Sequence, residues 1–209
     1  MLIRPFRFLS LGLLASIATL TGAATASADN LPNPLVSCAA VTLSQPFLPW
    51  ADVAQYTPVP GGTFTSGTPN WALSGGAAIT QGATPVDVDG PSESQPLSLP
   101  DGSSATSSAM CTSIEDPDLR FFAVNSGSLS DTLAVSVSYE DGLGNLLTTQ
   151  IGGFTATGSW EPMVQDPIVV NLISLLQGGG TPIAFTFTPQ GTGGHWQIDD
   201  VYVDPAGRS

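Results

Sequence analysis

Trp196-Gln197-Ile198-Asp199-Asp200-Val201-Tyr202-Val203-Asp204-Pro205 is the stretch from which the fold is read. Apolar residues alternate as Trp196/Ile198 and again as Val201/Val203, but the two sets are out of phase across adjacent aspartates. Strand side chains repeat with period two, so both sets reach one core only if an extra residue bulges out between them. The pattern predicts the last strand of a β-sandwich, bulged at Asp199–Asp200. It also predicts a kinked edge where the two carboxylates meet water, a backbone amide or a cation.

Working back along the chain, short β-prone runs are separated by glycine, proline, asparagine and aspartate. Strands are expected near 63–66, 71–74, 77–80, 95–99, 105–112, 119–125, 132–140, 146–151, 154–159, 167–172, 183–188 and 196–203. Leu133-Ala134-Val135-Ser136-Val137-Ser138-Tyr139 is apolar on one face and small and polar on the other. A hairpin turn is expected at Glu140–Asn145, where Gly142 and Gly144 supply positive φ. Asn171–Gln177 is the one candidate helical turn. Short strands at regular spacing with almost no helix predict an all-β fold: an antiparallel β-sandwich, a jelly roll, with an irregular N-terminal extension.

The first 28 residues read as a signal peptide. Arg4 and Arg7 form a basic start, an apolar run follows from Phe8 to Leu20, and Ala26-Ser27-Ala28 fits a cleavage site. The expected division is therefore 1–28 leader, 29–60 irregular segment packed on the sandwich, and 61–205 sandwich, with a secreted, extracellular product. The leader carries two of the four basic residues and no acid, so its removal takes the formal charge from −13 to −15. Arg120 and Arg208 then remain as the fixed cations, and there is no lysine. Such a surface repels phosphate backbones, which argues against nucleic acid, and lacks the basic clusters that dock on anionic lipid. Neutral polymers and divalent cations stay compatible. In an oxidising exterior, Cys38 and Cys111 are expected to pair, closing a loop of about 70 residues worth roughly 4 kcal/mol in the chain-entropy model.

Catalysis finds little footing. The sole histidine, His195, opens the last strand without a Gly-x-Ser-x-Gly elbow elsewhere in the chain, so no catalytic residue is assigned. A glycan hydrolase needs two carboxyl groups across a cleft, and Glu140, Glu161, Asp199 and Asp200 are the acids from which such a pair would come. One histidine and a paired cysteine cannot assemble a usual zinc site. Calcium accepts carboxylates at looser geometry, which makes Asp199 and Asp200 the candidate ligands, followed by Asp87/Asp89 and Asp116/Asp118. No cofactor is required; the alternative role for Asp199 is to accept hydrogen bonds from amides left open by the bulge. Among aromatics, Trp71 and Trp196 share faces with Leu73 and Ile198 and read as core. Trp160, Tyr202 and Trp50 are the candidate ligand-binding residues, because flat rings stack on the apolar faces of sugars.

Gly62-Thr63-Phe64-Thr65-Ser66-Gly67, Trp71-Ala72-Leu73-Ser74-Gly75-Gly76-Ala77 and Ile198-Asp199-Asp200-Val201-Tyr202-Val203 resemble jelly-roll domains of the galactose-binding-like type, an architecture shared by carbohydrate-binding modules. The same pieces are similar to those of uncharacterised secreted actinobacterial proteins. The resemblance covers about 61–205. It implies a calcium between the first and last strands, with Asp199 at one ligand position; the other is held here by Thr65 rather than an acid. Fold likeness does not by itself carry a ligand. The leading expectation is a secreted, non-catalytic binding or accessory domain for a glycan. A structural or surface-interaction protein of the cell envelope, and a glycan-active hydrolase, are the alternatives. A row of exposed aromatics would favour the first, a sheet face of small serines and threonines the second, and a cleft with paired acids the third. Oligomeric state is not read from the sequence.

Overall fold

The computed structural model describes residues 42–65, 67, 71–82, 84–85, 88, 95–112, 118–141, 143–168 and 181–204. The expected leader, Cys38, Asp87, Asp89, Asp116, the candidate turn at Asn171–Gln177 and most of the expected strand 167–172 lie outside them. Thirteen strands are formed by the described residues: β1 (Thr57–Pro58), β2 (Ala72–Ser74), β3 (Ala78–Ile79), β4 (Leu97–Pro100), β5 (Ser104–Thr106), β6 (Met110–Thr112), β7 (Asp118–Asn125), β8 (Thr132–Glu140), β9 (Leu146–Phe154), β10 (Glu161–Pro162), β11 (Asp166–Pro167), β12 (Thr181–Gln190) and β13 (His195–Asp204). The helical content among these residues is one 3₁₀ turn, Leu48–Trp50.

The strands form two antiparallel sheets packed as a sandwich. Sheet one runs β10-β7-β13-β4-β3, with β1 also paired to β13 and β11 to β7. Sheet two runs β2-β5-β12-β8-β9, with β6 also paired to β12. Period-two alternation puts Leu119, Phe121, Ala123, Trp196, Ile198, Val201 and Val203 of sheet one against Leu133, Val135, Val137, Ile183, Phe185 and Phe187 of sheet two, all fully buried. Phe121 makes edge contacts with Phe154 and Phe187 at centroid separations of 5.0 and 5.2 Å. Truncating such a ring to alanine removes about 3–5 kcal/mol, a large part of a domain's net stability.

The bulge in β13 forms as its sequence requires. Asp199 lies opposite Phe122 and Tyr202 opposite Arg120, so three steps along β13 match two along β7. Asp200 absorbs the extra residue with φ 51°, and Val201 and Val203 return to the face of Trp196 and Ile198. The location differs from the sequence expectation in one respect. β13 is the centre of sheet one, and Asp199 and Asp200 are 0% and 2% exposed rather than at a wet edge. The turn before β2 reaches into this irregularity: the Val59 N–H donates to Val201 O at 2.8 Å and the Val201 N–H donates to Gly62 O at 3.0 Å. A Cβ on Gly62 would stand 2.8 Å from Val201 O, so only glycine fits that approach.

Four expected strands are redrawn for local reasons. Residues 63–65 of the run 63–66 form a turn, with Phe64 at φ 52°. The run 105–112 divides into β5 and β6, because the Ser107 side chain takes over backbone bonding: its hydroxyl donates to Ser108 O at 2.9 Å and accepts the Phe185 N–H at 3.0 Å. The run 146–151 extends to Phe154 as β9, bulged between the partners of Val135 and Ser136, and residues 155–159 of the next expected run leave the sheet. The β8–β9 hairpin closes on Asp141, whose Oδ1 accepts the N–H groups of Leu143 and Asn145, each at 2.8 Å.

Candidate functional site

The outward face of sheet one is covered by a strap formed by residues 43–58. Ser44 and Tyr56 exchange backbone bonds at 2.9 and 2.8 Å, closing the strap into a loop, and β1 then joins β13. Within it, Pro49 starts the 3₁₀ turn and Ala51 ends it in the left-handed region at φ 60°. The turn directs Phe47 inward, where its ring stacks on Phe122 at 5.2 Å and meets Tyr56 and Tyr202 edge-on at 4.9 and 5.8 Å. Phe122 and Tyr202 face away from the main core on β7 and β13, so this is a second hydrophobic cluster on the opposite side of sheet one.

A polar clamp locks the strap down. The Arg120 guanidinium donates to Asp52 Oδ2, and its Nε donates to Met163 O at 3.1 Å. The same guanidinium lies 4.6 Å from the Phe47 ring centre, a cation–π contact. Tyr56 Oη donates to Asp52 Oδ2 at 2.6 Å, and Gln165 Nε2 donates to Tyr56 Oη at 2.5 Å. Burial opposes ionisation of Asp52, but bonds from Tyr56 and the Ala54 N–H, with the Arg120 charge, outweigh it and hold the carboxyl below its ordinary range. Burial, then the bond to Asp52, pushes the Tyr56 hydroxyl up to about 12.

The structure brings the three aromatic candidates to this one place. Trp50 packs edge-on against Phe122 at 4.9 Å and is 37% exposed, while Trp160, partly buried, packs on the same cluster. Tyr202 lies beneath them at 3% exposure and serves as packing. Leu43, Leu48 and Val53 of the strap are exposed around Trp50 in sequence. Beyond Trp160 the chain enters the wall of a cleft of about 540 Å³, lined on one side by Glu161, Pro162, Met163 and Val164 and on the other by Gly153–Thr157 of β9 and its continuation. The cleft lies at the seam between the sheets, since β9 is the edge of sheet two and β10 the edge of sheet one. Its walls are apolar, with threonine hydroxyls and one carboxylate: Glu161 Oε1 accepts the Thr157 N–H at 2.9 Å.

The remaining candidates are dispersed. Asp199 Oδ1 accepts the N–H of Asp200 at 2.9 Å, as the bulge invites, and Oδ2 accepts the Thr84 hydroxyl at 3.1 Å. No group of three or more acidic, histidine or cysteine side chains among the described residues is arranged to hold a metal, and Thr65 brings no carboxylate. Each Asp199 oxygen thus already accepts one hydrogen bond from the protein. His195 is exposed, and its N–H donates to Asn125 Oδ1 at 3.0 Å. Among the described residues that line the cleft, Glu161 is the one acid. Cys111 lies on β6, and no free cysteine occurs among the described residues.

The outward face of sheet two is of another character. Ser74–Ser104, Thr106–Thr186 and Ser138–Thr148 pair hydroxyl to hydroxyl at 2.8, 2.9 and 2.8 Å across neighbouring strands. Sequence reading missed the clamp residues Asp52, Tyr56 and Gln165. Arg120 carried a signal, since a lone cation in the body of so acidic a chain needs a specific partner.

No protein-family model matches the sequence. No curated protein matches it either. Solved structures do. A xylan-binding domain of the CBM22 type is 16% identical, with 76% of this chain covering 99% of that one at a TM-score of 0.50. The CBM22-1–GH10 modules of Clostridium thermocellum endo-1,4-β-D-xylanase 10B, complexed with xylohexaose, are also 16% identical at a TM-score of 0.50, with 72% of this chain matching 28% of that longer one. The likeness is one of fold. It makes the sandwich a jelly roll.

Proposed function

We propose that the chain is an exported, non-catalytic module that binds a neutral polysaccharide across Trp50, Trp160 and the adjoining cleft. The observation that carries this reading is the convergence of Trp50 and Trp160 on the Phe122 cluster beside a cleft that mixes apolar walls with Glu161 and threonine hydroxyls. Sugar rings need both: an apolar platform for their C–H faces and acceptors for their hydroxyls. The formal charge repels anionic polymers, which selects a neutral one. That solved jelly rolls of the same fold are xylan-binding supports the ligand class. The leader-like first 28 residues and a Cys38–Cys111 bridge belong to the same reading.

The test is retention of the full chain on insoluble xylan, cellulose and chitin. Trp50→Ala and Trp160→Ala should each weaken retention about tenfold or more, the scale of a buried anchor. Retention on none of the polymers, or variants that bind as well as wild type, would refute the proposal.

A second reading has its own support. The hydroxyl-paired outer face of sheet two suits a structural component of the cell envelope with no small ligand. Loss of wall co-fractionation on replacing Ser136 and Thr186 by lysine, with the tryptophan variants unaffected, would favour it.

A further inference from the structure

Asp166 lies two residues beyond Val164, the end of the cleft wall 161–164. Its backbone pairs with Leu119 of β7, within sheet one. Its carboxyl reaches the other sheet: a methyl on Gly152 of β9 would collide with Asp166 Oδ2. One residue further, Gly153 and Phe154 line the opposite cleft wall. Asp166 Oδ2 is buried and has no hydrogen-bond partner among the described residues. Among those residues the groups around it offer no compensating cation. On β7, Asp118 is opposite Pro167, and Arg120 is committed to Asp52 and Met163 O. Beyond β7, Asp204 is opposite Asp118 on β13. On β9 the neighbours are Gly152 and Phe154, and within its own segment Gln165 is neutral and turned to Tyr56.

From this geometry we infer that Asp166 is a proton-operated latch between the two sheets, closing the adjoining end of the cleft when neutral and loosening β11 when ionised. A neutral carboxyl tolerates the unpartnered burial; a carboxylate there must shed water without gaining a donor and must face Asp118. Burial, and secondarily the Asp118 charge, push its pKa up to about 6. Because the folded value is raised above the ordinary 3.8, the favourable contribution is complete at acid pH and is lost as pH rises toward and through about 6. The latch regulates the cleft and so rests on the binding reading, yet it is measurable without a ligand.

The experiment melts the full chain from pH 3.5 to 7.5 as wild type, Asp166→Asn and Asp118→Asn, and repeats polysaccharide retention at pH 5 and pH 7.5. Asp166→Asn should match wild type at pH 3.5 and melt about 4 °C higher at pH 7.5, allowing for partial solvent screening. Asp118→Asn removes the like charge, lowers the Asp166 pKa and so moves the transition to lower pH, with a smaller loss of Tm by pH 7.5. Retention should be stronger at pH 5 than at pH 7.5 in wild type and level in Asp166→Asn. Parallel melts for Asp166→Asn and wild type overturn the latch whatever is retained. The expected melts with pH-independent retention overturn its coupling to the cleft. The expected melts with no retention at any pH refute the binding reading and leave the latch standing. If Asp166→Asn does not fold, an undiminished loss in Asp118→Asn overturns the proposal.

Discussion

Arg120 donates directly to the carboxylate of Asp52, and this contact joins β7 to the strap across the second aromatic cluster. Breaking it leaves a largely buried charge uncompensated, which costs about 3–5 kcal/mol in fully buried pairs and less where water reaches. Arg120→Ala should therefore lower Tm by several degrees and expose Trp50 further, read as a red shift of tryptophan emission. Arg120→Lys should rescue poorly, since a point charge cannot serve Asp52, Met163 O and the Phe47 ring together. A full rescue by lysine would show that charge alone matters.

The strap should be held over a definite pH window. Asp52 has a folded pKa below 3.8, so its contribution is present above that value and is lost as pH falls through the lower folded one. Tyr56 is raised from 10.0 to about 12, so its contribution is complete below pH 10 and fades as pH rises through about 12. Proteolysis near Val53 should accelerate at both extremes and stay flat between. Equal cleavage across the range would contradict the clamp.

Deleting Asp200 should be far worse than changing it. Removal of the bulge residue turns Val201 and Val203 outward and exposes the core face of β13. Asp200→Gly keeps the count and suits φ 51°, so it should fold with a modest loss. Circular dichroism of the deletion variant resembling wild type would mean the strand can re-register.

Reduction of the expected Cys38–Cys111 bridge should lower stability by up to about 4 kcal/mol. Denaturant titration with and without reductant measures it, and equal midpoints would show the bridge absent or inconsequential.

Chelation should leave Tm unchanged within about 1 °C, because the oxygens of Asp199 are engaged by Thr84 and a backbone amide. A chelator-induced drop restored by calcium would show that the site fits the ion after all.

Most of the sandwich was legible because period-two patterns state which face is buried, and the out-of-phase apolar pairs of β13 demanded a bulge. What the pattern could not state was strand order. Asp199 and Asp200 read as an edge pair, since two acids side by side favour water, yet β4, β1 and β7 enclose β13 and the strap seals its outer face. Trp50, Trp160 and Tyr202 were picked as aromatics with a poor claim on the main core. They have one indeed, but in the second cluster that Phe47 and Phe122 create, and nothing in local spacing pairs residue 50 with residue 122. The latch at Asp166 was equally silent, because it depends on Gly152 from the other sheet.

The position of β13 also governs the timing of folding. Sheet one is organised around the last of its strands in chain order, so β1, β4 and β7 wait without a hydrogen-bonding partner between them until residues 195–204 emerge. Pairings of such long sequence separation form slowly. Sheet one therefore closes only when its central strand docks, whereas the β8–β9 hairpin of sheet two needs no later segment.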